Sequence, residues 1–129
     1  ENVATSEVAE ALSAVPGILE ANVYGVAVPG MDGRAGMAAI LCDGTCDLTA
    51  LHAHLCNALP DYARPLFLRI QTEFDMTSTF KQKKLELVRH GFNPTLTGDP
   101  IYFNDPATRS FVRLDPDLHE RIESGNIRL

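Results

Sequence analysis

Lys81, Gln82, Lys83 and Lys84 gather all three lysines of the chain into four residues, while the other eight basic residues are arginines. A lysine carries a compact positive charge on a long stem, suited to reaching an anionic group on a partner. Lys81 differs from its neighbours because it ends Thr77-Ser78-Thr79-Phe80-Lys81, a polar connector expected to project from the sheet as a loop. The plainer reading of such a cluster is a solvated basic turn, since lysines are mostly exposed.

Three other groups invite chemistry and fit it less well. His52 and Cys56 share a helical face at i, i+4, with His54 nearby, and Cys42 and Cys46 are separated by three residues. A structural zinc site wants four ligands, and neither spacing supplies them, so no metal is expected. Solvated histidines and a core cysteine account for these residues equally well. Gly30, Gly33 and Gly36 do not match GxGxxG and lack the GK[ST] ending of a phosphate loop, so they read as turn glycines. No Ser-His-Asp set or nucleophile elbow follows from the spacing.

The elements that must carry these residues come from periodicity. Thr5 or Ser6 caps a helix with Val8, Leu12 and Val15 on one face, stopped by Pro16-Gly17. Ile18 to Val28 and Gly36 to Cys42 are apolar runs around a glycine-rich turn, an antiparallel hairpin. Asp47 caps a second helix through Leu48, Leu51, Leu55 and Leu59, ended by Pro60. Leu66, Leu68 and Ile70 alternate with Phe67, Arg69 and Gln71 as a strand with two different faces. A short helix after the lysines should turn Leu85 and Val88 inward and end at Gly91. Ile101–Phe103 and Phe111–Leu114 form a small hairpin around Asn104-Asp105-Pro106. Asp115 and Pro116 then start a last helix, with Leu118 and Ile122 on one face and Gly125 at its end. The fold class is therefore α+β, a small mostly antiparallel or mixed sheet with hairpins flanked by helices.

Composition narrows the function classes. The 129 residues make one domain, and 45% apolar with 22% charged is ordinary for a globular chain. A net charge of −6 disfavours a nucleic-acid backbone binder. An odd set of three cysteines disfavours a disulfide framework and points to a reducing compartment. No apolar run approaches a membrane span, and no signal peptide pattern is present. The chain opens on Glu1 with a helix within six residues, which reads as a piece of a longer polypeptide.

Several segments resemble the fatty acid transport protein and very-long-chain acyl-CoA synthetase branch of the adenylate-forming enzymes. Glu1-Asn2-Val3-Ala4-Thr5-Ser6-Glu7-Val8 is similar to that branch's GENV(S/A)TxEV stretch. Val26-Ala27-Val28-Pro29-Gly30-Met31-Asp32-Gly33-Arg34-Ala35-Gly36-Met37-Ala38 resembles VPGxxGRAGMA, and Leu59-Pro60-Asp61-Tyr62-Ala63-Arg64-Pro65-Leu66-Phe67-Leu68-Arg69 resembles LPxYARPxFLR. Thr77 to Lys81, with Leu87-Val88 and Gly91-Phe92-Asn93-Pro94, resembles TGTFKxxKxxLVxxGFxP. Tyr102-Phe103 and Ile127-Arg128-Leu129 also fit, so the likeness runs the whole chain in order. Ser78 departs from the usual glycine, and Met31 stands where related sequences often carry a polar residue.

The resemblance implies the C-terminal lid domain of a long- or very-long-chain fatty-acid–CoA ligase, with residues 1–98 as core lid and 99–129 as a hairpin-helix extension. It implies ATP-dependent formation of an acyl-adenylate, then transfer to CoA, with ATP, CoA and magnesium as substrates and ion of the intact enzyme. Lys81 would be the catalytic lysine, and Thr77, Ser78, Thr79 and Phe80 its supporting loop. Glu1, Asn2 and Val3 would lie near the CoA tunnel, just after the hinge. The partner would be the N-terminal adenylate-binding domain, the fragment alone would be inactive, and the place would be the cytoplasm or the cytoplasmic face of a membrane. A non-catalytic interaction module, and a lid serving a different acceptor, remain open beside it.

Overall fold

The computed structural model describes residues 5–28, 34–60, 63–71, 80–95, 99–105 and 108–125, with residues 5, 6, 34 and 80–84 described by backbone alone. Nine elements follow in order: α1 (Thr5–Ser13), β1 (Ile18–Ala27), β2 (Arg34–Cys42), α2 (Leu48–Ala58), β3 (Phe67–Gln71), α3 (Phe80–His90), β4 (Ile101–Asp105), β5 (Ser110–Arg113) and α4 (Pro116–Glu123). The strands form one five-stranded sheet in sequential order. β1 and β2 pair antiparallel, β2 and β3 parallel, and β3–β4–β5 antiparallel again. The parallel pair needs a crossover, and α2 supplies it. The sheet is thus mixed, and the architecture is α+β.

Side-chain alternation sorts the strands into two cores. Tyr24, Val26, Met37, Phe67, Ile101 and Phe103 face one side, where they meet Leu87 of α3, Phe92 and Ile122 of α4. Val23, Ala38, Ile40 and Leu68 face the other, against Val8 and Leu12 of α1 and Leu51 and Leu55 of α2. β2 and β3 are buried on both faces, which is why Met37-Ala38-Ala39-Ile40 reads as an unbroken apolar run. Phe67 stacks on Phe92, with ring centroids 4.4 Å apart.

The caps are those the sequence sets. Asp47 accepts from the backbone N–H of Thr49 and Ala50, and Asp115 from that of Leu118, with Pro116 in the first turn. Gly17 turns the chain between α1 and β1 at φ +93, and a Cβ there would stand 2.8 Å from Thr45 Oγ1.

Three readings change. α3 begins at Phe80, so the backbone of Lys81 lies in a helix's first turn and not in a projecting loop. Leu85 is 63% exposed, and Leu87 is the buried residue of that helix. His52 and His54 are not solvated. Both are half-buried and bonded across elements, to Asn104 and to the carbonyl of Ala11. Among the described residues, no helix is long and apolar enough to cross a membrane.

Candidate functional site

The lysine cluster sits where two local preferences conflict. Lys81, Lys83 and Lys84 occupy the start of α3, and no acidic residue lies in its first turn. The first turn of a helix already carries partial positive charge, so each lysine there opposes the dipole by roughly 0.3–1 kcal/mol. A sequence choosing folding stability alone would reverse this arrangement, and such conflicts tend to mark functional sites. Together the lysines and the helix end concentrate positive charge in one place.

The far end of α3 is anchored. Arg69, in β3, is 8% exposed. Its Nε and Nη2 both donate to Asp99 Oδ2 at 2.9 Å, just before β4. Its Nη1 lies 3.3 Å from His90 Nδ1 in the last turn of α3, which accepts. Glu86 pairs with Arg89 at 2.8 Å and approaches His90 Nε2 at 3.9 Å. Leu87 fastens the same turn to the core. Lys81 is nine residues from His90, about 13 Å along the axis at 1.5 Å per residue. The helix is therefore a strut, tied at its C-terminal end and carrying the lysines at the other. Sequence reasoning placed Arg69 in β3 but missed its burial. The available signal was a charged residue between Leu68 and Ile70, in a strand apolar on both faces.

Tyr24 adjoins this network. It is 3% exposed, and among the described residues its hydroxyl has no hydrogen-bond partner. Burial pushes its phenol well above the ordinary value, and the nearby Arg69 charge opposes this only in part.

The remaining candidates resolve as follows. Glu1, Asn2, Val3, Thr77, Ser78 and Thr79 lie outside the described residues, and Phe80 and Lys81 are described by backbone path. Among the described residues, no group of three or more His, Cys, Asp or Glu side chains could hold a metal ion. Cys42, Cys46 and Cys56 are free. Cys42 is buried, and burial, with a hydrogen bond from its S–H to the Cys46 side chain, pushes its thiol up to about 12. The Asp43 carboxyl is held below its ordinary value by the hydroxyl and backbone N–H of Thr45, at 2.6 and 2.9 Å. Cys56 Sγ lies 3.7 Å from His52 Nδ1.

A sequence model of the AMP-binding enzyme C-terminal domain matches residues 7–81, ending on Lys81. The chain belongs to that family. All of it aligns with long-chain fatty acid transport protein 6 of Mus musculus at 46% identity and with long-chain fatty acid transport protein 3 of Homo sapiens at 44%. It covers 21% and 19% of those two proteins, so it spans about a fifth of the relatives' length. The fold recurs in two solved enzymes. An o-succinylbenzoate CoA synthetase from Bacillus subtilis, bound to a product analogue, matches 58% of this chain and 15% of its own at TM-score 0.52 and 24% identity. A coronafacic acid ligase from Pectobacterium brasiliense matches 68% of this chain and 17% of its own at TM-score 0.56 and 17% identity.

Proposed function

We propose that this AMP-binding C-terminal domain is the mobile lid of a long- or very-long-chain fatty-acid–CoA ligase, and that Lys81 is its catalytic residue. The observation that carries the reading is the match of the whole chain to long-chain fatty acid transport proteins at identities above 40%. Supporting it, the family match runs to Lys81, whose backbone lies in the first turn of a helix anchored at its other end.

In this reading the partner is a larger N-terminal domain of the same polypeptide, which binds ATP, magnesium and the acyl chain. As a fatty-acid carboxylate attacks the α-phosphate, negative charge gathers on oxygens of both reactants. An ammonium delivered there holds them together and stabilises the developing charge. Arginine is a poor replacement, because its planar fork does not reproduce a point charge. Thr77, Ser78, Thr79 and Phe80 shape the approach. After pyrophosphate leaves, the lid turns so that CoA can displace AMP, with Glu1, Asn2 and Val3 near the pantetheine path. Residues 1–98 form the core lid, and 99–129 are an extension whose strands β4 and β5 prolong the sheet. The isolated lid is inactive, and the intact enzyme works in the cytoplasm or at the cytoplasmic face of a membrane.

The test is Lys81→Ala in the intact enzyme. ATP–pyrophosphate exchange driven by fatty acid should fall about 10²–10³-fold, while thioester formation from supplied acyl-adenylate persists. Adenylation at the wild-type rate would refute the role of Lys81.

A further inference from the structure

On the opposite face of the sheet from α3, three polar side chains meet at the end of α2. Cys56, exposed in the last turn, has its Sγ 3.7 Å from Nδ1 of His52, one turn earlier. The other ring nitrogen of His52, Nε2, is 3.0 Å from Oδ1 of Asn104 in β4. With that oxygen accepting, Nε2 carries the ring proton and Nδ1 presents its lone pair to the thiol. The edge of Phe111 in β5 meets the imidazole at 5.3 Å and 78°, fixing its plane. A thiol, an imidazole aimed at it and an amide orienting that imidazole are the parts used for acyl transfer in Cys-His-Asn enzymes. Here they come from α2 and β4, with Phe111 of β5 beside the ring.

We propose that Cys56 is an activated thiol that accepts an acyl group from a long-chain acyl thioester, with His52 as its base and Asn104 as the positioning residue. His52 Nδ1 takes the Sγ proton as the thiolate adds to the thioester carbonyl. The bond from that carbon to the departing sulfur breaks, and the leaving thiolate takes the proton back from His52. One thioester is exchanged for another, and no oxidant or further reactant is needed. The free backbone groups of a helix's last turn are carbonyls, which do not stabilise an oxyanion. Arg64 draws two of them away, donating to the carbonyls of Cys56 and Leu59 at 2.9 and 3.0 Å. The site therefore suits a single exchange, a modification, and not hydrolytic turnover. The proposal rests on the ligase reading only for the natural source of the thioester.

The experiment supplies that thioester. The intact protein is incubated with radiolabelled palmitoyl-CoA, and hydroxylamine-labile label is mapped by mass spectrometry. Iodoacetamide alkylation of Cys56 is timed in parallel. The wild type should carry label at Cys56. Both rates should fall at least tenfold in His52→Gln and in Asn104→Ala, a milder change, with folding checked by circular dichroism. Absence of acyl label in the wild type, even with fast alkylation, overturns the proposal, as do equal rates in wild type and Asn104→Ala. Lys81→Ala should acylate normally, so failure of the ligase reading and failure of this one are read separately.

Discussion

Removing Asp99 should cost more than removing the arginine it serves. In Asp99→Ala the guanidinium of Arg69 stays at 8% exposure without its carboxylate. Two N–H groups that met Asp99 Oδ2 at 2.9 Å lose their acceptor. Hydrogen bonds to charged groups contribute about 1.5–3 kcal/mol each, but two on one oxygen do not add in full. Asp99 is also 30% exposed, so water recovers part of the loss. We expect about 3 kcal/mol, within the range for breaking a buried pair. An unfolding entropy of about 2.1 cal/mol/K per residue makes that a drop of about 10 °C in Tm. Arg69→Met keeps most of the volume, removes the buried charge and leaves Asp99 able to meet water, so it should cost about 1–2 kcal/mol. The assay is urea unfolding followed by circular dichroism on both variants. If Asp99→Ala lies within 0.5 kcal/mol of wild type, about a third of the smallest contribution assigned to one such bond, or if Arg69→Met is clearly worse, the account of this anchor is wrong.

Two further outcomes follow from burial. Tyr24→Phe removes a buried hydroxyl that has no partner among the described residues and should stabilise the fold by about 1 kcal/mol, raising Tm by about 4 °C in a calorimetric scan. Cys42, pushed up from 9.0 to about 12, keeps its proton in the native state where the unfolded chain loses it. Its contribution is therefore full below about pH 9 and declines as pH rises toward about 12. In a Tyr24→Phe background, which removes a phenol shifted the same way, Cys42→Ala should flatten the fall of the urea midpoint over that interval.

Legibility in the sequence followed the range of the interaction. Asp47 and Asp115 were readable as caps because a cap is settled within three residues. The β1–β2 hairpin was readable because its strands flank one turn. The inner face of α3 was readable only in part. Val88 packs against the core as its spacing predicts, but Leu85 does not, because the direction α3 faces is set by Ile122 and Arg69, distant in sequence. His52 and His54 looked like solvent-facing histidines because their partners, Asn104 and Ala11, lie 52 and 43 residues away. Lys81 was singled out by composition and by likeness to a family. Neither source revealed that it begins a helix, since Thr77-Ser78-Thr79 before it reads as connector.

β1 is the outermost strand on its side of the sheet, and it carries one extra residue. Ile18 faces Cys42 while Glu20 faces Leu41, so Leu19 has no opposite number and stands 66% exposed. Ile18 still packs beside Val23 and Ala21, because the surplus residue resets the alternation. Deleting Leu19 would thus leave every inward residue of β1 facing as before and yield a straighter rim. What would vanish is the local kink that makes a rim awkward for another molecule's strand to extend. An exposed leucine that looks expendable by its contacts therefore makes this edge a poorer template for a strand from a second molecule.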